Sequence, residues 1–219
     1  MKTIIFDLDG TILDTLEDLK NAVNYALNFY KYPEKDLEFV RKAIGNGTQV
    51  LIKRCTPCTI SEEDYKKVFA LFKSYYLSHY ADYTRKYAGI EALLKDLKGK
   101  CLLCVASNKD NDLTQELINK EFPGLFDVIQ GSYFDRPKKP DPYLIDKIVD
   151  ENNIDKANCL YIGDTNVDKE SALNAGLDYR LVSYGYRTKE ELEKMCPNDT
   201  PFSSVKELSD YLLKWVNQN

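Results

Sequence analysis

Two aspartates one residue apart, Asp7 and Asp9 in Phe6-Asp7-Leu8-Asp9-Gly10-Thr11, are the first residues in the chain whose spacing suggests chemistry. A second pair, Asp164 and Asp168, follows Gly163 far downstream. Four carboxylates gathered at one place repel one another unless a cation shares the site. Oxygen-only ligands of this kind suit Mg²⁺, which takes carboxylates, waters and phosphate oxygens. Such an ion also cancels the repulsion between an anionic nucleophile and an anionic phosphoryl group. Ser107 and Asn108 add short neutral donors for phosphoryl oxygens, and Lys139 adds a cation to balance the nucleophile and the transferring group.

These residues need elements to bring them together. Ile4-Ile5-Phe6 reads as a short buried parallel strand ending in acid and glycine. A helix is expected from Thr15, with Thr15 as its cap and Asp18 three residues on in a box-like arrangement. From there to about residue 85 the pattern is helical only, and one helix carries Tyr65, Phe69, Phe72, Tyr75, Tyr76 and Tyr80 as packing aromatics. From about residue 86 helix and strand alternate, with strands at 101–106, 128–129, 159–162 and 179–182. This predicts an α/β fold, a doubly wound parallel sheet, with an inserted all-helical block. The core is expected over 1–14 and 86–219 and the helical block over 15–85. Ligands of such sheets sit beyond the carboxyl ends of the strands. Four strand ends here lead into acids, small donors or lysine.

Composition narrows the class. The chain has 219 residues, 43% hydrophobic and 30% charged, an ordinary balance for a globular protein. A net charge of −5 gives no support to nucleic-acid binding, which selects basic faces. No apolar run approaches the length of a membrane span, and Asp7 comes too early for a signal peptide, so a cytoplasmic location is expected. Cys101 and Cys104 would point to opposite faces of a strand, so they and Cys55/Cys58 are expected as reduced thiols rather than a zinc site. The chain has neither a Gly-x4-Gly-Lys-Ser/Thr loop nor Gly-x-Gly-x2-Gly. Its lone histidine, His79, is expected at the surface of the helical block.

Together, Asp7-x-Asp9-Gly10-Thr11, Ser107-Asn108, Lys139-Pro140 and Gly163-Asp164-x3-Asp168 resemble, in order, the four motifs of the haloacid dehalogenase-like hydrolase superfamily. The insert resembles the helical cap of the subgroup that includes phosphoglycolate phosphatase. Ile44-Gly45-Asn46-Gly47, Ala175-Gly176 and Gly185-Tyr186-Arg187 are further matches. The resemblance implies that Asp7 attacks phosphorus and that Asp9 acts as acid, then base. It implies Mg²⁺ held by Asp7, the Asp9 main-chain carbonyl and Asp164, with Asp168 direct or through water. Thr11, Ser107 and Asn108 would hold phosphoryl oxygens, and Lys139, favoured over Lys138, would fix the charge balance. Ala88-Gly89 and Tyr184 depart from common family residues away from the chemistry.

The expected partner is a small phosphorylated metabolite, with neither nucleic acid nor membrane, and a monomer or homodimer. By resemblance 2-phosphoglycolate ranks first, before pyrophosphate, a sugar phosphate or a nucleotide monophosphate. Asp9 argues against a dehalogenase, which needs no acid. A phosphomutase of the β-phosphoglucomutase type would keep Asp9, and a receiver-like phosphoacceptor module would be shorter. Arg41, Lys42, Lys53 and Arg54 flank Gly45-Asn46-Gly47, where one or two of them could meet a substrate anion.

Overall fold

Strand β1 (Thr3–Phe6) is buried at every position in the computed structural model, which describes residues 1–218. A two-residue strand, β2 (Leu13–Asp14), leads into four helices: α1 (Leu16–Phe29), α2 (Leu37–Ala43), α3 (Thr48–Cys55) and α4 (Glu62–His79). The chain returns through β3 (Arg85–Lys86) and α5 (Ile90–Leu97). It then alternates as β4 (Leu102–Asp110), α6 (Asn111–Glu121), β5 (Val128–Ser132), α7 (Tyr143–Glu151), β6 (Cys159–Gly163), α8 (Asn166–Asn174) and β7 (Asp178–Leu181). Helices α9 (Lys189–Met195) and α10 (Val205–Asn217) complete it. Helix α9, opened by a Thr188/Glu191 capping box, was not expected.

The chain divides into two compact units, Met1–Leu13 with Lys86–Asn219, and Asp14–Arg85. In the first, five parallel strands run in the order β5-β4-β1-β6-β7. The central strands are apolar because helices flank the sheet, leaving no wet side to them. Ile4, Ile5, Leu103, Cys104, Val105, Leu160 and Ile162 are all buried. The connection leaving β1 goes to one side of the sheet and that leaving β6 to the other. Their carboxyl ends therefore flank a switch point, the usual crevice for a ligand in such sheets.

The second unit is helical. In α1, Leu16, Leu19, Ala22, Val23, Ala26 and Leu27 form one buried stripe, and α4, against which α1 packs, buries Val68, Phe72 and Tyr76. The α4 aromatics stack in sequence, Tyr65 on Phe69, Phe69 on Phe72 and Phe72 on Tyr76. The expected cap of α1 is corrected. Thr15 sits at the N-cap position without a side-chain cap bond, and the Leu16 amide donates instead to Asp14 Oδ1 at 3.1 Å. Asp18 is 2% exposed and accepts from the Tyr83 amide at 2.9 Å and the Thr84 hydroxyl at 2.7 Å. It ties the end of the unit to its beginning, across 65 residues of chain.

Removing that carboxylate leaves the Tyr83 amide short of a partner and the Thr84 hydroxyl with the Tyr80 carbonyl at 3.1 Å in place of its shorter bond. Asp18→Ala should therefore cost about 2 kcal/mol in denaturant unfolding, whereas Glu17→Ala on the exposed face stays within about 0.5 kcal/mol. Equal effects would show that Asp18 is not the tie.

Candidate active site

Asp7 lies one residue beyond β1, its amide bonded to the Ile162 carbonyl of neighbouring β6 at 2.8 Å. The turn after it is closed by Gly10 N–H to Leu13 O at 2.9 Å and Leu13 N–H to Leu8 O at 3.1 Å. Gly10 adopts φ +91° there, and a Cβ at that position would overlap the Asp164 carboxylate. The main chain thus brings the first acid segment against the last.

Lys139 is the hub of the buried charges. Its Nζ donates to Asp7 Oδ1 at 2.6 Å, to Asp168 Oδ1 at 2.7 Å and to the Tyr161 hydroxyl at 2.9 Å. Three partners use all three protons of an ammonium. The Tyr161 hydroxyl in turn donates to the Ala106 carbonyl at 3.1 Å. Asn108 fixes the Lys139 main chain, accepting from its amide at 2.8 Å and donating to its carbonyl at 3.1 Å. Expected as a phosphoryl donor, the Asn108 side chain holds Lys139 with its oxygen and one of its two amide protons. Ser107, 1% exposed, accepts from the Lys109 amide at 3.1 Å. Both it and Asn108 lie inside the extended run of β4, whose pairing with β5 shifts register between Ala106 and Asp110.

Asp164, Asp168 and Asp7 offer carboxylate oxygens within 4.8 Å of one another, all buried. Asp168 is held on both oxygens: besides Lys139 on Oδ1, its Oδ2 accepts from the Thr165 amide at 3.0 Å and the Thr165 hydroxyl at 2.6 Å, beside the capping box of α8. Asp164 accepts from the Tyr186 amide at 2.7 Å and the Thr11 hydroxyl at 3.3 Å. Thr11, expected on a phosphoryl oxygen, is fully buried and directs its hydroxyl to Asp164. Gly185 lets the Tyr186 amide approach, since a Cβ there would overlap the Gly10 carbonyl oxygen.

Electrostatics follow from three buried acids with one lysine bonded to two of them, Asp7 and Asp168. Burial pushes the Asp7 carboxyl up to about 7, with Lys139 opposing and Asp168 and Asp9 adding to the rise. Burial, then Asp168 and Asp7, hold Asp164 well above the carboxylate range. Lys139 stands well above its ordinary value, its two carboxylates overcoming the effect of burial. A divalent cation fits this set: its donors are hard oxygens, and its charge offsets the excess negative charge that burial makes costly. The thiols are unlike this. Burial raises Cys101 and Cys159 to about 12, values that keep them protonated.

Asp9 stands apart, held by Lys109 Nζ at 2.9 and 3.1 Å to its two oxygens. Sequence reasoning gave neither Lys109 nor Tyr161 a role. The signals were a lysine directly after Ser107-Asn108 and a phenol within a buried strand, whose hydroxyl must find a partner. In the helical unit, Arg41 and Lys42 pair with Glu38, and Arg54 donates to the Ala43 carbonyl and Asn46 Oδ1. His79, partly exposed, pairs with Asp82 at 2.7 Å.

Known proteins share this arrangement of elements. The chain is 30% identical over 220 residues to a phosphoglycolate phosphatase of Aquifex aeolicus, covering 98% of this chain and 100% of that one. It is 32% identical over 198 residues to a phosphoglycolate phosphatase of Caulobacter vibrioides, covering 88% and 83%. The crystal structure of a predicted phosphoglycolate phosphatase from Haemophilus somnus superposes with a TM-score of 0.88 at 26% identity, covering 97% and 98%. Residues 4–182, which span both acid pairs and Lys139, match the family model described as haloacid dehalogenase-like hydrolase, and the chain belongs to that family.

Proposed function

We propose that the protein is a Mg²⁺-dependent phosphatase of small phosphomonoesters, with 2-phosphoglycolate as first substrate, working through an aspartyl-phosphate on Asp7. The observation that carries the reading is the buried Asp7 carboxylate at the switch point, with Lys139 at 2.6 Å and Asp164 and Asp168 beside it. A carboxylate oxygen of Asp7 attacks phosphorus and the bond to the leaving oxygen breaks. Asp9 gives that oxygen its proton. Asp9 then takes a proton from water, which attacks phosphorus and releases phosphate as the bond to Asp7 breaks. Lys139 holds Asp7 in place and offsets charge on the transferring group. Asp7 and Asp164, with the Asp9 main-chain carbonyl, would hold the metal. When bound it supplies charge neutralisation for nucleophile and phosphoryl group. Asp168, beside Asp7 and Asp164, would bind the metal directly or through water.

The curated relatives, named phosphoglycolate phosphatases, support the substrate class, and a cytoplasmic monomer or homodimer accords with free, mostly buried cysteines. Among the described residues, no helix is long and apolar enough to cross a membrane. A panel of 2-phosphoglycolate, sugar phosphates, nucleotide monophosphates and pyrophosphate tests the reading by phosphate release. Phosphate transfer between sugar positions under a bisphosphate activator, without release, would favour the phosphomutase instead.

Metal removal gives a separate prediction. EDTA should abolish phosphate release and Mg²⁺ restore it. The ion should also raise the melting temperature by several degrees, because at a hundredfold excess over Kd ligand binding stabilises by about 2.7 kcal/mol. Full turnover in EDTA would refute the metal assignment.

A further inference from the structure

The proposed chemistry uses one lysine, Lys139, yet a second buried lysine holds the fourth acid, Asp9. Lys109 is 4% exposed and its Nζ lies 2.9 and 3.1 Å from the two oxygens of Asp9. Exposed ion pairs contribute little, but this lysine is shielded from water, its side chain only 2% exposed, and Asp9 is 16% exposed. Both ends of the pair stand on fixed main chain. The Lys109 amide donates to Ser107 Oγ at 3.1 Å, and the next residue, Asp110, is in register with Ser132 of β5. The Asp9 main chain is closed into the turn that Gly10, Leu8 and Leu13 make. An aspartate side chain has two torsions, and a lysine bonded to both of its oxygens restricts each of them.

We propose that Lys109 is a positioning residue for Asp9, fixing the carboxylate that protonates the leaving oxygen. This rests on the reading of Asp9 as the acid given above. A proton donor is effective only within hydrogen-bond reach of the atom it protonates, so a carboxylate left to rotate loses much of its value. Lys139 cannot substitute: its three protons are committed to Asp7, Asp168 and Tyr161. The two lysines therefore divide the work, one on the attacking carboxylate and one on the proton-shuttling carboxylate, 100 residues apart from its lysine in the chain.

The test compares kcat/KM for three esters, because that ratio reports the steps up to departure of the leaving group and not the later hydrolysis. 2-Phosphoglycolate and ethyl phosphate need an acid; 4-nitrophenyl phosphate, with its good leaving group, does not. Lys109→Met should lower kcat/KM on both alkyl esters by about 30- to 100-fold, part of the 10²- to 10⁴-fold that a general acid supplies. On 4-nitrophenyl phosphate the loss should stay within about threefold, a contrast that a merely structural role would not produce. Lys109→Arg, which keeps a cation on the carboxylate, should restore most of the loss. If the Met variant does not fold, Lys109→Gln carries the same comparison. Asp9→Asn should show the same contrast, and adding Lys109→Met to it should cause no further loss on the alkyl esters. Equal losses on all three substrates, or a gain on the alkyl esters, overturn the positioning role. So does a loss confined to 2-phosphoglycolate, which would mean that Lys109 binds the substrate's carboxylate. If Asp9→Asn lacks the contrast while the parent releases phosphate, the acid assignment itself fails, and the positioning role with it.

Discussion

Asp7→Asn is expected to abolish phosphate release while leaving a folded protein. The amide has the shape of the carboxylate but offers no anionic oxygen to attack phosphorus, so turnover should fall by at least about 10⁴-fold, the scale seen when an enzyme loses its nucleophile. Folding should not suffer. Burial already pushes the Asp7 carboxyl up to about 7, so the neutral amide removes a charge that the site holds at a cost. Lys139 keeps its bond to Asp168 at 2.7 Å and to Tyr161 at 2.9 Å. The variant should therefore unfold at a denaturant midpoint equal to or above that of the parent. A discontinuous phosphate assay alongside urea unfolding checks both halves. More than a few per cent residual turnover would remove Asp7 from the nucleophile's role.

The second large effect is expected from Lys139→Met. Here the fold and the chemistry fail together, because Asp7 and Asp168 are left facing each other without their shared cation. Breaking a buried pair by removing one partner costs about 3–5 kcal/mol, and losing a charge aligned on the transferring group costs about 10²- to 10³-fold in kcat. The variant also carries a signature in pH. Asp7 has a folded-state pKa of about 7 against an ordinary value of 3.8, so the native state binds the extra proton. Metal-free protein should then lose stability as pH rises from the ordinary carboxylate range towards about 7, with no further change from this group above that. Without Lys139, which opposes the shift, the fall should be larger and extend to higher pH. Unfolding curves at several pH values measure it. A variant with the parent's stability and the parent's pH slope would show that the ammonium does not balance these acids.

Much of the site could be read in the sequence because a parallel sheet converts sequence position into spatial position. Asp7, Asp164 and Lys139 each follow a strand, or the loop after one, and the common direction of the strands collects their ends. What escaped reading were partnerships that depend on where one side chain points. Lys109 reaches Asp9, Tyr161 reaches Lys139, and Asn108 bonds to the Lys139 main chain. No local periodicity encodes such pairings. The cap of α1 failed for a related reason. Thr15 and Asp18 have the spacing of a local box, but Asp18 makes bonds to Tyr83 and Thr84 at the far end of the helical unit. Helix α9 escaped because, in its seven residues, only Leu192 is buried, too little to show a stripe.

The measurement that bears most directly on the whole account is chemical trapping of the intermediate. The protein is mixed with 2-phosphoglycolate and Mg²⁺, quenched in acid within one turnover, digested and mapped by mass spectrometry. One added phosphoryl group is expected on the peptide that contains Asp7, decaying as phosphate appears and absent from Asp7→Asn. Phosphate released at full rate with no phosphorylated protein, or with the phosphoryl group on another residue, would contradict it.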